Sequence, residues 1–298
     1  MVNIFKILAA LWILAGHAHA QELEPRLYGA LPTKMNALGL AYGLSTGNVV
    51  TEPTLPVQGL KITGHNVSAV YIRTFGIAKR LGRVQLTVPS LFLAGKAKLN
   101  GVDTSLARGG LGDIRLRFSV NVLGTPAYER KDFVKYTEKT IVGVSIVTSI
   151  PTGLYYNDKL VNVGANRWAF KPEIGVSKKI GRVYTEAFSG IWFYMKNKDY
   201  LKGKTLEQQP VFSLQAHTTY YFKNKMSVSA SGTWFNGGKT IIDNVEAGDQ
   251  LDNWRVGGTW SVPVGKGQSL KLQVHTGAFT SKGFDYDMAL IVYQYVFF

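Results

Sequence analysis

Residues 113–122 read DIRLRFSVNV. Asp113, Arg115, Arg117, Ser119 and Asn121 fall on one side of an extended chain, and Ile114, Leu116, Phe118, Val120 and Val122 on the other. The period is two, so this is a strand with one apolar and one charged face. Moving outward, the pattern recurs. In 269–275, Leu270, Leu272 and Val274 oppose Lys271, Gln273 and His275. In 167–176, Trp168, Phe170, Ile174 and Val176 oppose Arg167, Lys171 and Glu173. Similar alternation marks 212–221, 226–234 and 253–262.

Twelve strands follow, over about 35–44, 62–78, 84–96, 113–123, 139–151, 167–178, 183–195, 210–222, 226–236, 253–263, 269–280 and 286–298. Ten or fourteen are the alternatives, because 62–78 alternates poorly. The fold class is all-β. A soluble sandwich also alternates, but two features favour a transmembrane, antiparallel, up-and-down barrel. Short turns at 79–83, 179–182, 223–225 and 264–268 take turns with long loops at 45–61, 97–112, 153–166, 196–209 and 237–252. The exception, 125–138, reads as a longer, partly helical turn on the short side. Aromatic residues also gather near strand ends: Trp168, Phe170, Tyr194, Tyr220, Phe222, Trp234, Phe235 and Trp254. Pro89 and Pro172 lie inside strands and predict local bulges.

The whole chain has 298 residues, a formal charge of +15 and no cysteine. Hydrophobic residues at 46% and aromatics at 12% exclude a disordered chain. The lack of Cys excludes a disulfide scaffold, a thiolate metal site and a cysteine nucleophile. Residues 1–20, MVNIFKILAALWILAGHAHA, have one charge, a short apolar run and a small-x-small end. They read as a secretory signal cleaved after Ala20. Residues 21–34 are then a periplasmic N-terminal segment and 35–298 the barrel. Export makes nucleic acid an improbable partner for the basic chain. No later stretch reaches eighteen continuous apolar residues, so a membrane location requires a closed barrel. The expected address is the outer membrane of a Gram-negative cell.

The chain ends FDYDMALIVYQYVFF. Counting back by twos from Phe298 gives Val296, Gln294, Val292, Leu290, Met288 and Tyr286, a mostly apolar and therefore lipid-facing set. A terminal Phe298 on such a strand resembles the assembly signal of outer-membrane barrels, with the barrel-assembly machinery as its expected reader. Polar faces then line the lumen: Arg73, Arg115, Arg117, Arg167, Lys171, Glu173, Glu186, Gln215, His217, Arg255, Lys271, His275 and Asp287. Basic residues outnumber acidic ones, which suits anions or carboxylated aromatics. The alternative is a wall stiffened by paired charges. Arg115 and Arg117 point the same way, about 6.6 Å apart along the strand. They suit a shared carboxylate or phosphate, or neutralisation by Glu173 or Glu186. Basic loops suit lipopolysaccharide phosphates. The GGLGD run at 109–113 lacks the Lys-Ser/Thr of a phosphate loop and reads as a flexible loop, able to fold inward as a constriction. No HExxH occurs, and His65 and Ser68 fall on opposite faces, so neither metal, cofactor nor catalytic set is expected.

Two long segments, GGLGDIRLRFSVNVLGTPA (109–127) and LVNVGANRWAFKPEIGVSK (160–178), and more loosely EPTLPV (52–57), resemble the phenol meta-pathway (MetA-pathway) degradation family. The family's QGH-like turn is here Leu214-Gln215-Ala216-His217. The resemblance spans about 25–298. It implies an outer-membrane barrel near aromatic degradation, moving small hydrophobic or aromatic molecules, with no catalytic set to carry over. A plugged structural or surface-interaction barrel is the alternative, and a lipid-modifying enzyme a more distant one. The substrate itself is unknown from sequence.

Overall fold

Alternation of this kind leaves every strand with one face that must meet lipid or core and one that must meet water, and a closed sheet satisfies both. The computed structural model describes residues 23–47, 57–99, 102–159, 161–281 and 286–298. The signal segment and much of the 45–61 loop lie outside the described residues. In chain order the elements are β1 (Asn36–Gly47), β2 (Val57–Ile77), β3 (Arg80–Leu99), β4 (Val102–Leu111), β5 (Ile114–Leu123), α1 (Arg130–Phe133), β6 (Ile141–Ile150), β7 (Ala169–Ile180), β8 (Val183–Tyr194), β9 (Asn197–Tyr200), β10 (Lys204–Gln208), β11 (Val211–Tyr221), β12 (Ser227–Gly237), β13 (Thr240–Ile242), β14 (Val245–Glu246), β15 (Leu251–Gly265), β16 (Gln268–Thr280) and β17 (Tyr286–Phe297).

The wall is a closed antiparallel barrel of twelve strands. It closes where β1 pairs with β17, from Asn36 opposite Phe297 to Gly47 opposite Tyr286. β4 and β5 share one wall position. β5 pairs with the lower half of β3 and β4 with the upper half. The break falls at Gly112–Asp113, where the Gly112 N–H donates to the Pro89 carbonyl at 2.8 Å. Pro89 has no N–H to offer the neighbouring strand, and the ladder is interrupted beside it. Pro172 likewise drops out of the β7–β8 pairing without shifting its register. Both prolines therefore delete ladder pairs; at Pro89 the register also shifts by one residue, from Thr87 opposite Arg115 to Ser90 opposite Leu111, which is the local bulge the sequence suggests, whereas Pro172 makes none.

The expected long loops are more ordered than their composition indicates. The 97–112 loop belongs largely to a β3–β4 hairpin that prolongs the sheet. β9, β10, β13 and β14, from 196–209 and 237–252, form a separate four-stranded sheet. Helix α1 lies in the long 125–138 turn.

The largest departure concerns the N-terminal segment. Residues 23–34, expected to lie in the periplasm, pack inside the barrel instead. Thr33 and Lys34 fasten the segment at the short-turn end, their N–H groups donating to the carbonyls of Tyr128 and Thr74 at 2.8 and 3.0 Å. From there it climbs to mid-height, where Leu23 lies against Gly257 of β15. Tyr28 is fully buried. Its ring fits where Gly143 and Gly175 face each other across β6 and β7. A Cβ at either glycine would come within 2.0 or 2.4 Å of the ring. The ring meets Phe188 edge-on at 5.3 Å.

Candidate functional site

The lumen is built from the inward residues of the twelve strands, and two arcs of it differ in chemistry. From β5 round to β16 the inward face is polar: Arg117, Lys171, Glu173, Glu186, His217 and Arg255 are all buried there. From β17 through β1 and β2 to β3 it is mixed: Asn66, Thr74, Arg83, Gln85 and Gln294 also point inward, but the long-loop end is apolar or small. Met288, Leu290 and Val292 alternate with outward Ala289, Ile291 and Tyr293. Opposite them β1 offers only Ala37, Gly39, Ala41, Gly43 and Ser45. Ile62 on β2 and Leu93 on β3 continue this arc and are buried with Tyr286.

The polar arc grips the N-terminal segment. Arg117 forms an ion pair with Glu24. Glu186 accepts from the Arg26 backbone N–H at 2.6 Å and from its guanidinium at 3.3 Å. The same guanidinium reaches Glu138 at 2.9 Å and lies over the Tyr184 ring at 3.6 Å. The Tyr28 hydroxyl sits 3.0 Å from Ser145 Oγ and 3.2 Å from Glu173 Oε1. From β3, in the other arc, Arg83 donates to the Leu27 carbonyl and, at 3.1 Å, to that of Gly29. Glu173 also pairs with Lys171 at 2.9 Å. Thus the carboxylates that the sequence offers as neutralisers of Arg115 and Arg117 pair with Arg26 and Lys171, and Arg117 meets a residue of the segment. Arg115 shares its inward face but is exposed.

A second occlusion comes from the long-loop end. The 151–168 loop turns inward and buries Val161 against Ile62, Leu93 and Tyr286. Asp113 holds both limbs of this loop. Its Oδ1 accepts from the Gly153 N–H at 2.8 Å and its Oδ2 from the Ala165 N–H at 2.9 Å. Gly153 and Gly164 touch there, and a Cβ on Gly153 would lie 2.6 Å from Gly164 Cα. The inward loop is thus the one following β6, while 109–113 supplies its anchor.

Two lumen candidates lie elsewhere. Arg73 and Asp287 share the outward parity of Tyr71 and Ala289. Arg73 donates to Asn36 Oδ1 at 2.7 Å, and Asp287 accepts from Thr276 Oγ1 at 3.2 Å. Both stand at strand ends, where an outward charge meets the polar interface and not hydrocarbon. The C-terminal strand also reverses. Phe297, Tyr295, Tyr293, Ile291 and Ala289 face out, and Val296 to Tyr286 face in. Phe298 lies one residue beyond the last ladder pair, so counting from it inverts the faces. Its exposed ring carries the Arg130 guanidinium at 4.6 Å. Of the end-of-strand aromatics, Tyr194 and Phe235 point inward and Trp168, Tyr220, Trp234 and Trp254 outward.

His217 faces the lumen and hydrogen-bonds Ser231 Oγ at 2.8 Å through Nδ1. Lys271 and His275 share the inward face of β16. His65 stands on the outer wall, 2.8 Å from the Tyr42 hydroxyl, with Ser68 on the opposite face. What the sequence reading missed are Glu24, Arg26, Tyr28, Arg83 and Asp113. The usable signal was the pair of inward glycines, Gly143 and Gly175, at one level on adjacent strands, a gap that some other residue has to fill.

Fold and lumen together define an outer-membrane-type β-barrel with an occluded, two-sided interior. The chain belongs to the family described as "Putative MetA-pathway of phenol degradation", whose profile matches residues 45–284. Among solved structures it is similar to a COG4313 outer membrane channel from Pseudomonas putida F1, at 19% identity and a TM-score of 0.75, covering 93% of this chain and 100% of that one. It also resembles the β domain of the Bordetella autotransporter BrkA (9% identity, TM-score 0.55, 89% and 100% covered). The transport unit of the Escherichia coli autotransporter AIDA-I is similar as well (9%, 0.52, 97% of each chain). No match is found among curated proteins.

Proposed function

We propose that this barrel is an outer-membrane channel for small hydrophobic or aromatic compounds. One observation carries the reading: at the long-loop end the inward faces of β17, β2 and β3 bring Met288, Tyr286, Ile62, Leu91 and Leu93 together beside the small residues of β1, an apolar patch that a wall built only for ions and sugars does not need. Outside the same strands lies a groove of about 410 Å³ lined by Leu38, Leu40, Ala69, Tyr71, Tyr293 and Tyr295. Family membership supports the reading, since its description concerns phenol degradation. In this reading residues 1–20 direct export, Phe298 serves assembly, basic loops meet lipopolysaccharide, and the barrel does no chemistry on its cargo.

Uptake of radiolabelled toluene or phenol by cells with and without the gene tests this, with a disaccharide as the polar control. Faster aromatic uptake with unchanged disaccharide entry is expected. Equal aromatic uptake in both strains overturns it. A second reading, a barrel that anchors surface loops without transport, is favoured by the two occlusions. It predicts that deletion changes adhesion or envelope integrity and leaves uptake alone.

A further inference from the structure

We propose that the upper lumen contains a binding site for the carboxylate of an amphipathic acid, with Arg255 as the anchor. The proposal rests on the hydrophobic-channel reading and adds to it a preference for cargo with an acidic head.

Arg255 is on the inward face of β15, four residues from its long-loop end, and is only 1% exposed. Among the described residues none offers an acceptor to any of its three guanidinium nitrogens. The Tyr286 ring, 5.3 Å away, attracts the cation through its face but accepts no hydrogen bond from the guanidinium there. The wall of an ordinary barrel does not leave such a group uncompensated, because a buried charge without a hydrogen-bonding partner is strongly destabilising. Every other buried lumen arginine described here has a protein acceptor: Arg83 takes two carbonyls, Arg117 takes Glu24, and Arg167 takes Gln208 at 2.5 Å.

Two further features shape the site. His275, opposite Gly257 on β16, also has both ring nitrogens buried and without a partner among the described residues. Arg115 faces inward at the same end of the barrel. The nearest carboxylate in sequence, Asp252, is on the outward parity and accepts from Trp234 Nε1, and Asp287, which attracts Arg255 without a hydrogen bond to it, is also of outward parity and accepts from Thr276. The polar end therefore has donors and positive charge. Beyond Tyr286 the surface becomes apolar, with Ile62, Leu91, Leu93 and Met288. A planar guanidinium takes a carboxylate through two parallel N–H bonds, and the attached hydrocarbon or ring falls on the apolar patch. A neutral hydrocarbon leaves Arg255 unpaired, and a hydrophilic anion wastes the apolar surface. Leu23 of the N-terminal segment closes the site from below and Val161 of the inward loop from above.

The test compares 4-phenylbutyrate with 4-phenylbutanol on the full-length barrel in lipid nanodiscs, by calorimetry near neutral pH. One charge-assisted pair predicts at least about tenfold tighter binding of the acid. In R255Q that preference disappears while the alcohol binds as before. R255K, which keeps the charge but loses the fork, retains part of it. Folding of each variant is checked by heat-modifiable gel mobility, and R255K carries the test if R255Q does not fold. Equal binding of acid and alcohol to the wild type, or an unchanged preference in a folded R255Q or R255K, overturns the site. A wild type that binds the alcohol without favouring the acid overturns this site alone. One that binds neither compound, with no aromatic uptake in cells, overturns the channel reading as well.

Discussion

Substituting Tyr28 by Ala removes the residue that seats the N-terminal segment. The ring is fully buried among Gly143, Gly175 and Phe188, and its hydroxyl reaches Ser145 and Glu173. Aromatic-to-alanine changes in packed cores cost about 3–5 kcal/mol. The wall is held by its own ladder, so the loss falls on docking of the segment and not on the barrel. At about 1.4 kcal/mol per tenfold, the ratio of docked to undocked segment drops by roughly two to four orders of magnitude. Single-channel recording in planar bilayers reads this as larger or longer conducting events. G143V attacks the same contact from the wall, leaving the segment's sequence intact, since a Cβ there sits 2.0 Å from the ring. Y28A and G143V should therefore look alike. Folded barrels of both variants that conduct like the wild type, beside a deletion of 23–34 that conducts more, would refute the seating role of Tyr28.

Other outcomes follow from the same geometry. D113N weakens the acceptor for both limbs of the inward loop, at about 1.5–3 kcal/mol per charged hydrogen bond, and faster amide exchange at Gly153 and Ala165 is expected. E186Q removes one of the two counter-charges of Arg26, Glu138 remaining, and should cost segment docking about 1.5–3 kcal/mol. The R26Q/E186Q double variant should recover part of that, as measured by protease sensitivity near Leu23. I174R places a charge at the middle of an outward strand face and should cost about 2–4 kcal/mol of barrel stability in urea unfolding. D287N, at an outward strand end, should cost less than about 1 kcal/mol in the same assay.

The alternation in DIRLRFSVNV and its companions, with the alternating loop lengths, placed the twelve wall strands, 62–78 least clearly, because lipid on one side and a polar lumen on the other enforce period two. Legibility fails where both faces are alike. β17 carries Leu, Val and Met on the inside and Ile and Tyr on the outside, so alternation does not say which set faces lipid, and a count begun at Phe298 inverted it. Arg73 failed for a related reason: near a strand end, an arginine is as well solvated outside as inside. The lumen charges Arg117, Glu173 and Glu186 were found from parity alone. Their partners were not, because Glu24, Arg26 and Tyr28 belong to a segment with no period of its own. Its contacts span more than ninety residues of sequence, from Arg26 to Glu186 and Tyr28 to Ser145. Arg255 was visible as an inward arginine, but its missing acceptor is a property of three-dimensional packing.

The N-terminal segment is joined to β1 through Met35, and Thr33 and Lys34 are fastened at the barrel rim. It therefore behaves as a ligand supplied by the chain itself. A tether this short holds it at an effective concentration in the millimolar range. Occlusion is then independent of protein concentration, and dilution cannot release it. A free peptide of residues 23–34 would have to be present at comparable millimolar levels to compete. Any cargo that passes must outbid, for the moment of its passage, a competitor that never diffuses away.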